Sequence, residues 1–317
     1  MNTQYSLGID IGGTNTVAGI VSRNGEIISK TSLPTRGHAS FEVFLDALKT
    51  ATDKMLAQHS NLEISGIGIG APNGNFYNGT IEYAPNLEWE GVIRVAELVE
   101  QKFGIKTVLT NDANAAAIGE MIYGNARDMR DFIVITLGTG VGSGIVCGGE
   151  LIYGHDGFAG EIGHTIAIPG GRTCGCGRKG CLETYASAGG VVKTALEIMD
   201  ALPGKSVMEN RRTQLKAADV YQAAIAGDEA AILTFEQTAL ILGASLANSV
   251  AHTSPEAIFL FGGVANAGDL LLTPLKESLE ENLLNIYKGK VQILRSGLPD
   301  ADAAILGAAS LVQKYLK

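Results

Sequence analysis

Three cysteines fall within eight residues, Cys174, Cys176 and Cys181, in a chain that has only one other, Cys147. His164 precedes them by ten residues in the stretch AGEIGH and completes a Cys3His set. Four such ligands close a tetrahedral zinc site with no position left for water or substrate, so the expected role is structural. Gly175, Gly177 and Gly180 permit the tight backbone of such a knuckle. Uncoordinated thiols and a Cys-x-Cys redox pair are the alternatives. Glu161 and Glu183 bracket the cluster. Each alone reads as an ordinary surface glutamate. Held against one knuckle, they would aim two acceptors at vicinal hydroxyls, and His164 would offer its second ring nitrogen beside them.

A second group of residues suits phosphate chemistry. In DIGGTNT, Gly12 and Gly13 let backbone N–H groups converge on an anion, and Thr14 adds a hydroxyl. LGTGVGSG, with Gly138 and Thr139, offers a second cradle, and Gly262-Gly263 a third. Neither GxxxxGK[ST] nor a strand-to-helix GxGxxG occurs, which excludes the Walker and Rossmann loops. Tight hairpins alone would explain one such loop; two aligned loops and a third favour nucleotide phosphates. Asp10 either caps its glycine turn or holds Mg2+ beside a triphosphate. In TNDANAAA, Asn111 and Asp112 are both good helix caps. A cap needs only one of them, so Asp112 is also a candidate base for a substrate hydroxyl.

The elements that must position these groups follow from periodicity. Ser6–Ile11, Thr16–Ser22 and Glu26–Ser32 read as strands, the last two joined by an Asn-Gly turn. Phe41 to Leu56 has helical spacing, GIGIG is a buried strand, VIRVAELVEQKF a helix, KTVLT a strand and ANAAAIGEMIYG a helix. DFIVITLGTGVGSGIVCGGELI then repeats the opening pattern of three strands. Gly138-Thr139 falls on Gly13-Thr14, and Gly144-Ile145-Val146 on Gly19-Ile20-Val21, with one offset (138 − 13 = 144 − 19 = 125). Asp219 to His252 is helical with a break at AGDE. AIFLFGG, GDLLLTPLKESLEENLL, KVQILRS and Asp302 to Leu316 read as strand, helix, strand and helix. The fold expected is α/β, with two duplicated α/β halves facing each other across a cleft.

At 317 residues, 46% hydrophobic and 18% charged, the chain has room for two domains with substantial cores. A net charge of −9 argues against broad nucleic-acid binding. No unbroken apolar run approaches a membrane span and no signal peptide opens the chain, so a cytoplasmic location without membrane partners is expected.

DIGGTN, LGTGVGSG, GHDGFAGEIGH and CGCGRKGCLETYAS together closely resemble the ROK family of bacterial sugar kinases and repressors. The resemblance runs from Asp10 to the C-terminal helix, and the ordered GExGH plus CxCGxxGCxE pair is its most specific part. It implies an actin-like, hexokinase-like ATPase fold. The smaller N-terminal α/β domain would take residues 1–117 and 301–317, and the larger domain with the zinc knuckle residues 118–300. It implies ATP-dependent phosphorylation of a hexose at its 6-hydroxyl, with glucose as the expected sugar. N-acetylmannosamine, N-acetylglucosamine, mannose or fructose are alternatives, as is a non-catalytic sugar-sensing module. Asp112 would be the base. Asn86, Asn111, Glu161, His164 and Glu183 would contact the sugar. Asp10, Gly12, Gly13, Thr14, Gly138 and Thr139 would hold the phosphates and Mg2+, with Gly262 and Gly263 near the adenosine. His164, Cys174, Cys176 and Cys181 would bind structural zinc. A homodimer or homotetramer is implied. With the first strand near Ser6, no helix-turn-helix is expected ahead of it, so the repressor branch is set aside.

Overall fold

The structure is a computed structural model that describes residues 4–316. The chain divides into two compact units. One takes residues up to 129, 144–160 and those from 296 onward; the other takes 130–143 and 161–295.

In chain order the first unit opens with β1 (Tyr5–Ile11), β2 (Asn15–Ser22) and β3 (Ile27–Pro34). Then come α1 (Phe41–Ala57), β4 (Ile64–Ala71) and three short strands, β5 (Gly74–Asn75), β6 (Thr80–Glu82) and β7 (Val92–Ile93). α2 (Val95–Phe103), β8 (Thr107–Asn111) and α3 (Asp112–Ile122) follow. β9 (Phe132–Leu137), β10 (Val141–Cys147) and β11 (Glu150–Leu151) lead to a 3-10 turn at Ile162–His164. The helices α4 (Glu183–Ala186), α5 (Ala188–Ala201), α6 (Ala217–Ile225) and α7 (Glu229–Thr253) come next. β12 (Ala257–Phe261), α8 (Asp269–Asn282), β13 (Gln292–Arg295) and α9 (Ala303–Tyr315) finish the chain.

The first sheet has the order β3-β2-β1-β4-β8, in which β1, β4 and β8 are parallel and β1, β2 and β3 antiparallel. Its central strands alternate strictly. Leu7, Ile9 and Ile11 of β1, with Ile67 and Ile69 of β4, join a core with Phe41, Phe44, Leu48, Trp89, Val95 and Val99. The opposite face carries Gly8 and Gly68, because α9 lies directly on it. A Cβ at either glycine would collide with a backbone carbonyl of α9, Ile305 or Ala308 respectively. The GIGIG pattern is therefore a steric demand of a helix laid on a sheet, and Asp10, two residues beyond Gly8, shares that face.

The second sheet has the order β11-β10-β9-β12-β13, with β9, β12 and β13 parallel. Two sheets built on the same strand order bear out the duplication read from the 125-residue offset. The break at AGDE is real as well: Gly227 has φ +88°, and Asp228 caps α7 by accepting from the Ala231 N–H. Among the described residues α7 is the one helix long and apolar enough to cross a membrane. Most of that stretch is buried, and α7 packs against α4, α5, α6 and α8.

One expected element needs correction. The helix read from VIRVAELVEQKF begins at Val95. Val92 and Ile93 instead pair as β7 with Glu82 and Ile81. Cross-strand partners outcompeted a helical pattern that ran on through them.

Candidate functional site

In the first unit, β1, β4 and β8 end side by side. Asp10 is in register with Gly70, and Gly70 in turn with Thr110. A Cβ added at Gly70 would lie 3.6 Å from Asp10 Oδ1 and 3.6 Å from the Asp112 Cα. The absent side chain at Gly70 thus leaves the space that the two carboxylates share, at the carboxyl ends of parallel strands.

The choice between Asn111 and Asp112 as cap is settled by hydrogen bonds. Asn111 is the N-cap of α3, and its Oδ1 accepts from the N–H of Ala113 at 2.8 Å and of Asn114 at 3.4 Å. Its amide nitrogen is what it can turn to a ligand. Asp112, the first helical residue, is open to solvent yet densely surrounded by protein, and this desolvation raises its carboxyl above the ordinary carboxylate range. The Ala113 N–H, bonded to Asp112 Oδ1 at 2.8 Å, pulls the other way. Asp10 is raised to about 7, chiefly by burial and then by the charge of Asp112.

The glycine turn between β1 and β2 is closed by Gly12 N–H to the Asn15 carbonyl at 3.1 Å. Thr14 is exposed at its tip. A Cβ at Gly13 would meet the Asn86 carbonyl oxygen at 2.9 Å and the Asn86 Cβ at 3.1 Å. The structure thereby brings Asn86 against the loop, and part of the need for Gly13 is this close approach. Arg36 adds a cation that sequence reasoning passed over, its Nε donating to the Gly13 carbonyl at 2.8 Å.

In the second unit, β9 and β10 are joined by Gly138–Gly140, closed by Gly138 N–H to the Gly140 carbonyl at 3.0 Å, with Thr139 exposed at the tip. Gly262, at φ +101°, turns the chain after β12 so that the Val264 N–H reaches the Leu137 carbonyl at 3.1 Å. A cavity of about 310 Å³ opens beside these turns. Gly138 and Gly263 line it together with Tyr221, Phe235 and Asn266. Its mostly apolar wall suits a flat heteroaromatic ring. No motif marks Tyr221 or Phe235, whose helical spacing reads as core.

The four candidate zinc ligands converge, with their ligand atoms all within 4.8 Å of one another. Cys174 Sγ lies 3.7 Å from His164 Nδ1, and Cys176 Sγ lies 3.6 Å from Cys181 Sγ. Tetrahedral zinc with its usual bond lengths separates two sulfurs by about 3.8 Å, and a sulfur from a nitrogen by about 3.6 Å. The donor set therefore fits zinc, through Nδ1 of His164. Cys174, Cys176 and Cys181 are not cross-linked, so the cluster holds no disulfide. The knuckle is a tight hairpin in which the Cys174 N–H donates to the Arg178 carbonyl. The backbone N–H of Arg178 holds the Cys176 thiol down to about 6, whereas burial pushes Cys174 up to about 12.

Glu183 opens α4 directly after the knuckle. Its Oε1 is 3.6 Å from Cys174 Sγ, and its Oε2 accepts from the Val141 N–H at 3.2 Å. Glu161 is exposed and precedes the 3-10 turn, where the His164 N–H donates to its carbonyl at 3.0 Å. The turn rests on β10, since the Ile162 N–H donates to Ser143 Oγ at 3.1 Å. Arg172, another residue the sequence did not single out, braces α4 from behind. It donates to the Thr184 carbonyl at 2.7 Å and lies 4.4 Å over the Tyr185 ring.

Comparison with known proteins supplies the remaining context. The ROK family model matches residues 6–315. A glucokinase of Halalkalibacterium halodurans is 35% identical over 99% of this chain and 96% of its own length. A glucokinase of Streptomyces coelicolor is 34% identical over 98% of each. The solved structure of a ROK family glucokinase from Streptomyces griseus, in complex with glucose and AMPPNP, superposes with a TM-score of 0.83. It shares 34% identity and covers 98% of this chain and 99% of that one. With the family model matching nearly end to end and the relatives aligning over their whole lengths, this chain belongs to the ROK family.

Proposed function

We propose that this sugar kinase transfers the terminal phosphoryl group of ATP to the 6-hydroxyl of a hexose, glucose first among them, with Asp112 as general base. The observation that carries the role of Asp112 is the division of labour at the start of α3. Asn111 caps the helix, and Asp112 is left facing solvent beside Asp10. The likeness to glucokinases across the whole chain supports glucose as the acceptor.

In the reaction, ionised Asp112 takes the proton of the 6-hydroxyl as that oxygen attacks the γ-phosphorus. The bond from that phosphorus to the bridging oxygen breaks, and ADP leaves with the electron pair. Asp112 needs its proton removed between turnovers, so turnover falls as pH drops through its raised pKa. Gly12, Gly13, Thr14, Gly138 and Thr139 hold the phosphates through backbone N–H groups and hydroxyls. The cavity beside Gly138 and Gly263 takes the adenine, with Gly262 setting the turn. Asn86, Asn111, Glu161, His164 and Glu183 take the other sugar hydroxyls. Two crowded carboxylates, one raised to about 7, fit a divalent cation, and Asp10 would hold the Mg2+ that comes with ATP. That ion, when bound, neutralises charge on the phosphates. Zinc, when bound to the Cys3His set, supplies a closed structural node that fixes the surroundings of His164 and Glu183.

The test is ADP release with glucose, mannose, fructose, N-acetylglucosamine and N-acetylmannosamine. Highest kcat/KM with glucose is expected. Preference for an N-acetyl sugar would replace the substrate, and no release with any hexose would favour a sugar-sensing protein.

A further inference from the structure

The carboxylate of Glu183 makes one near approach and one hydrogen bond within one unit. Oε1 faces the knuckle through Cys174 Sγ at 3.6 Å, and Oε2 accepts from the Val141 N–H at 3.2 Å. Val141 is the residue immediately after the Gly138–Gly140 turn. Gly140 has its own stake in this contact. A Cβ there would run into Glu183 Oε2, so this third glycine of LGTG makes room for the carboxylate. The same corner is tied once more, by the Ala188 N–H at the start of α5 donating to the Gly138 carbonyl at 2.9 Å. Beneath this corner, Gly163 lies so close to the Val141 carbonyl that a side chain would collide with it, and Ile162 is hydrogen-bonded to Ser143. The metal knuckle, the GExGH turn and the nucleotide-side glycine turn therefore form one bonded assembly, with Glu183 at its centre.

We infer that Glu183 is a positioning residue for the nucleotide-phosphate turn, in addition to any contact it makes with sugar. Its charged oxygen holds the Val141 N–H, and so fixes where β10 begins and how the N–H groups of the Gly138–Gly140 turn are aimed. A hydrogen bond to a charged acceptor is the stronger kind, and it preorganises a loop that would otherwise be ordered at the expense of ligand affinity. If sugar that moves Glu183 changes nucleotide affinity by some factor, linkage requires that nucleotide change sugar affinity by the same factor.

This inference rests on the kinase reading, and equilibrium binding of MgADP without sugar separates the two. Wild-type protein is expected to bind MgADP; absence of binding would remove the kinase reading itself. Glu183→Ala is expected to weaken MgADP on the order of tenfold, as loss of one charge-assisted hydrogen bond implies. Glu183→Gln keeps an acceptor oxygen for Val141 and is expected to bind MgADP within about threefold of wild type, a small part of a hydrogen bond's worth. Unchanged affinity in Glu183→Ala, or equal weakening in Glu183→Gln, would overturn the inference. Should Glu183→Ala lose zinc or misfold, Gly140→Ala takes its place. A methyl at Gly140 displaces the Glu183 carboxylate without touching a zinc ligand. Glucose affinity measured without nucleotide should then fall, and an unchanged value would count against a shared carboxylate.

Discussion

Asp112 and Asp10 are two carboxylates placed close together by backbone geometry, and each can be tested alone. Replacing Asp112 with Asn keeps its size but removes the carboxylate proposed as base. Turnover should drop roughly 10²- to 10⁴-fold, the span of general base catalysis, while glucose binding by calorimetry stays near wild type. Turnover close to wild type would rule out the assignment. Asp10 carries a stability consequence. Its folded pKa of about 7 lies above the ordinary 3.8, so the folded state prefers the protonated form. The metal-free protein then has the full contribution of this group below about pH 4 and loses it as pH rises towards 7. Asp10→Asn should raise the metal-free thermal midpoint at pH 8 and change it little at pH 4. An equal shift at both would mean that the titration is not responsible. Sequence alone could name both residues but could not allot their roles at 111 and 112, because either side chain can cap. The Ala113 N–H donates to both, and it is the further bond from Asn114 to Asn111 that shows which one caps.

For the elements, periodicity served the long strands and helices it was applied to, passed over α5 (Ala188–Ala201), and failed where an element was short. The strands and helices of both halves lie close to where alternation and helical spacing put them. β5 and β6, two and three residues long, offer too few positions for any period to register. The Glu183 contact with Val141 spans 42 residues, and no local pattern reports it. The glycines of β1 and β4 were legible as a strand but not as a docking surface for α9. That surface gives a sharp prediction. Gly68→Ala drives a methyl into the backbone of α9 at Ala308, which cannot move aside as a side-chain tip would. Overpacking of this kind costs typically about 1–3 kcal/mol, and the backbone clash places this one at the upper end. Urea unfolding should show it as a lower midpoint with an unchanged slope.

At the scale of the molecule, duplication and the converging Cys3His donor set were both readable, because each leaves a spacing in the chain: the 125-residue offset and the Cys-x-Cys set with its histidine. What could not be read was the apolar cavity beside Gly138, whose lining is drawn from five separate segments of the chain. Zinc offers the measurement that spans the scales. Purified protein should carry about one zinc per chain, as a closed four-ligand site requires. Removing it with a strong chelator should lower both the thermal midpoint and glucose affinity, with recovery on adding zinc back. Normal glucose binding by the metal-free protein would show that the knuckle does not organise the site.

The placement of α9 bears on how the protein is made. The strands of the first sheet leave the ribosome well before α9, the helix that covers their glycine face. Until then the sheet face around Gly8 and Gly68 lacks the helix whose backbone packs directly on it. Vectorial synthesis cannot finish the N-terminal unit ahead of the other. The second unit, whose segments end at Arg295, has all its residues first. A nascent chain stalled before Ala303 should therefore be open to protease across residues 5–34 and protected across β9 and β12, the reverse of their order of emergence.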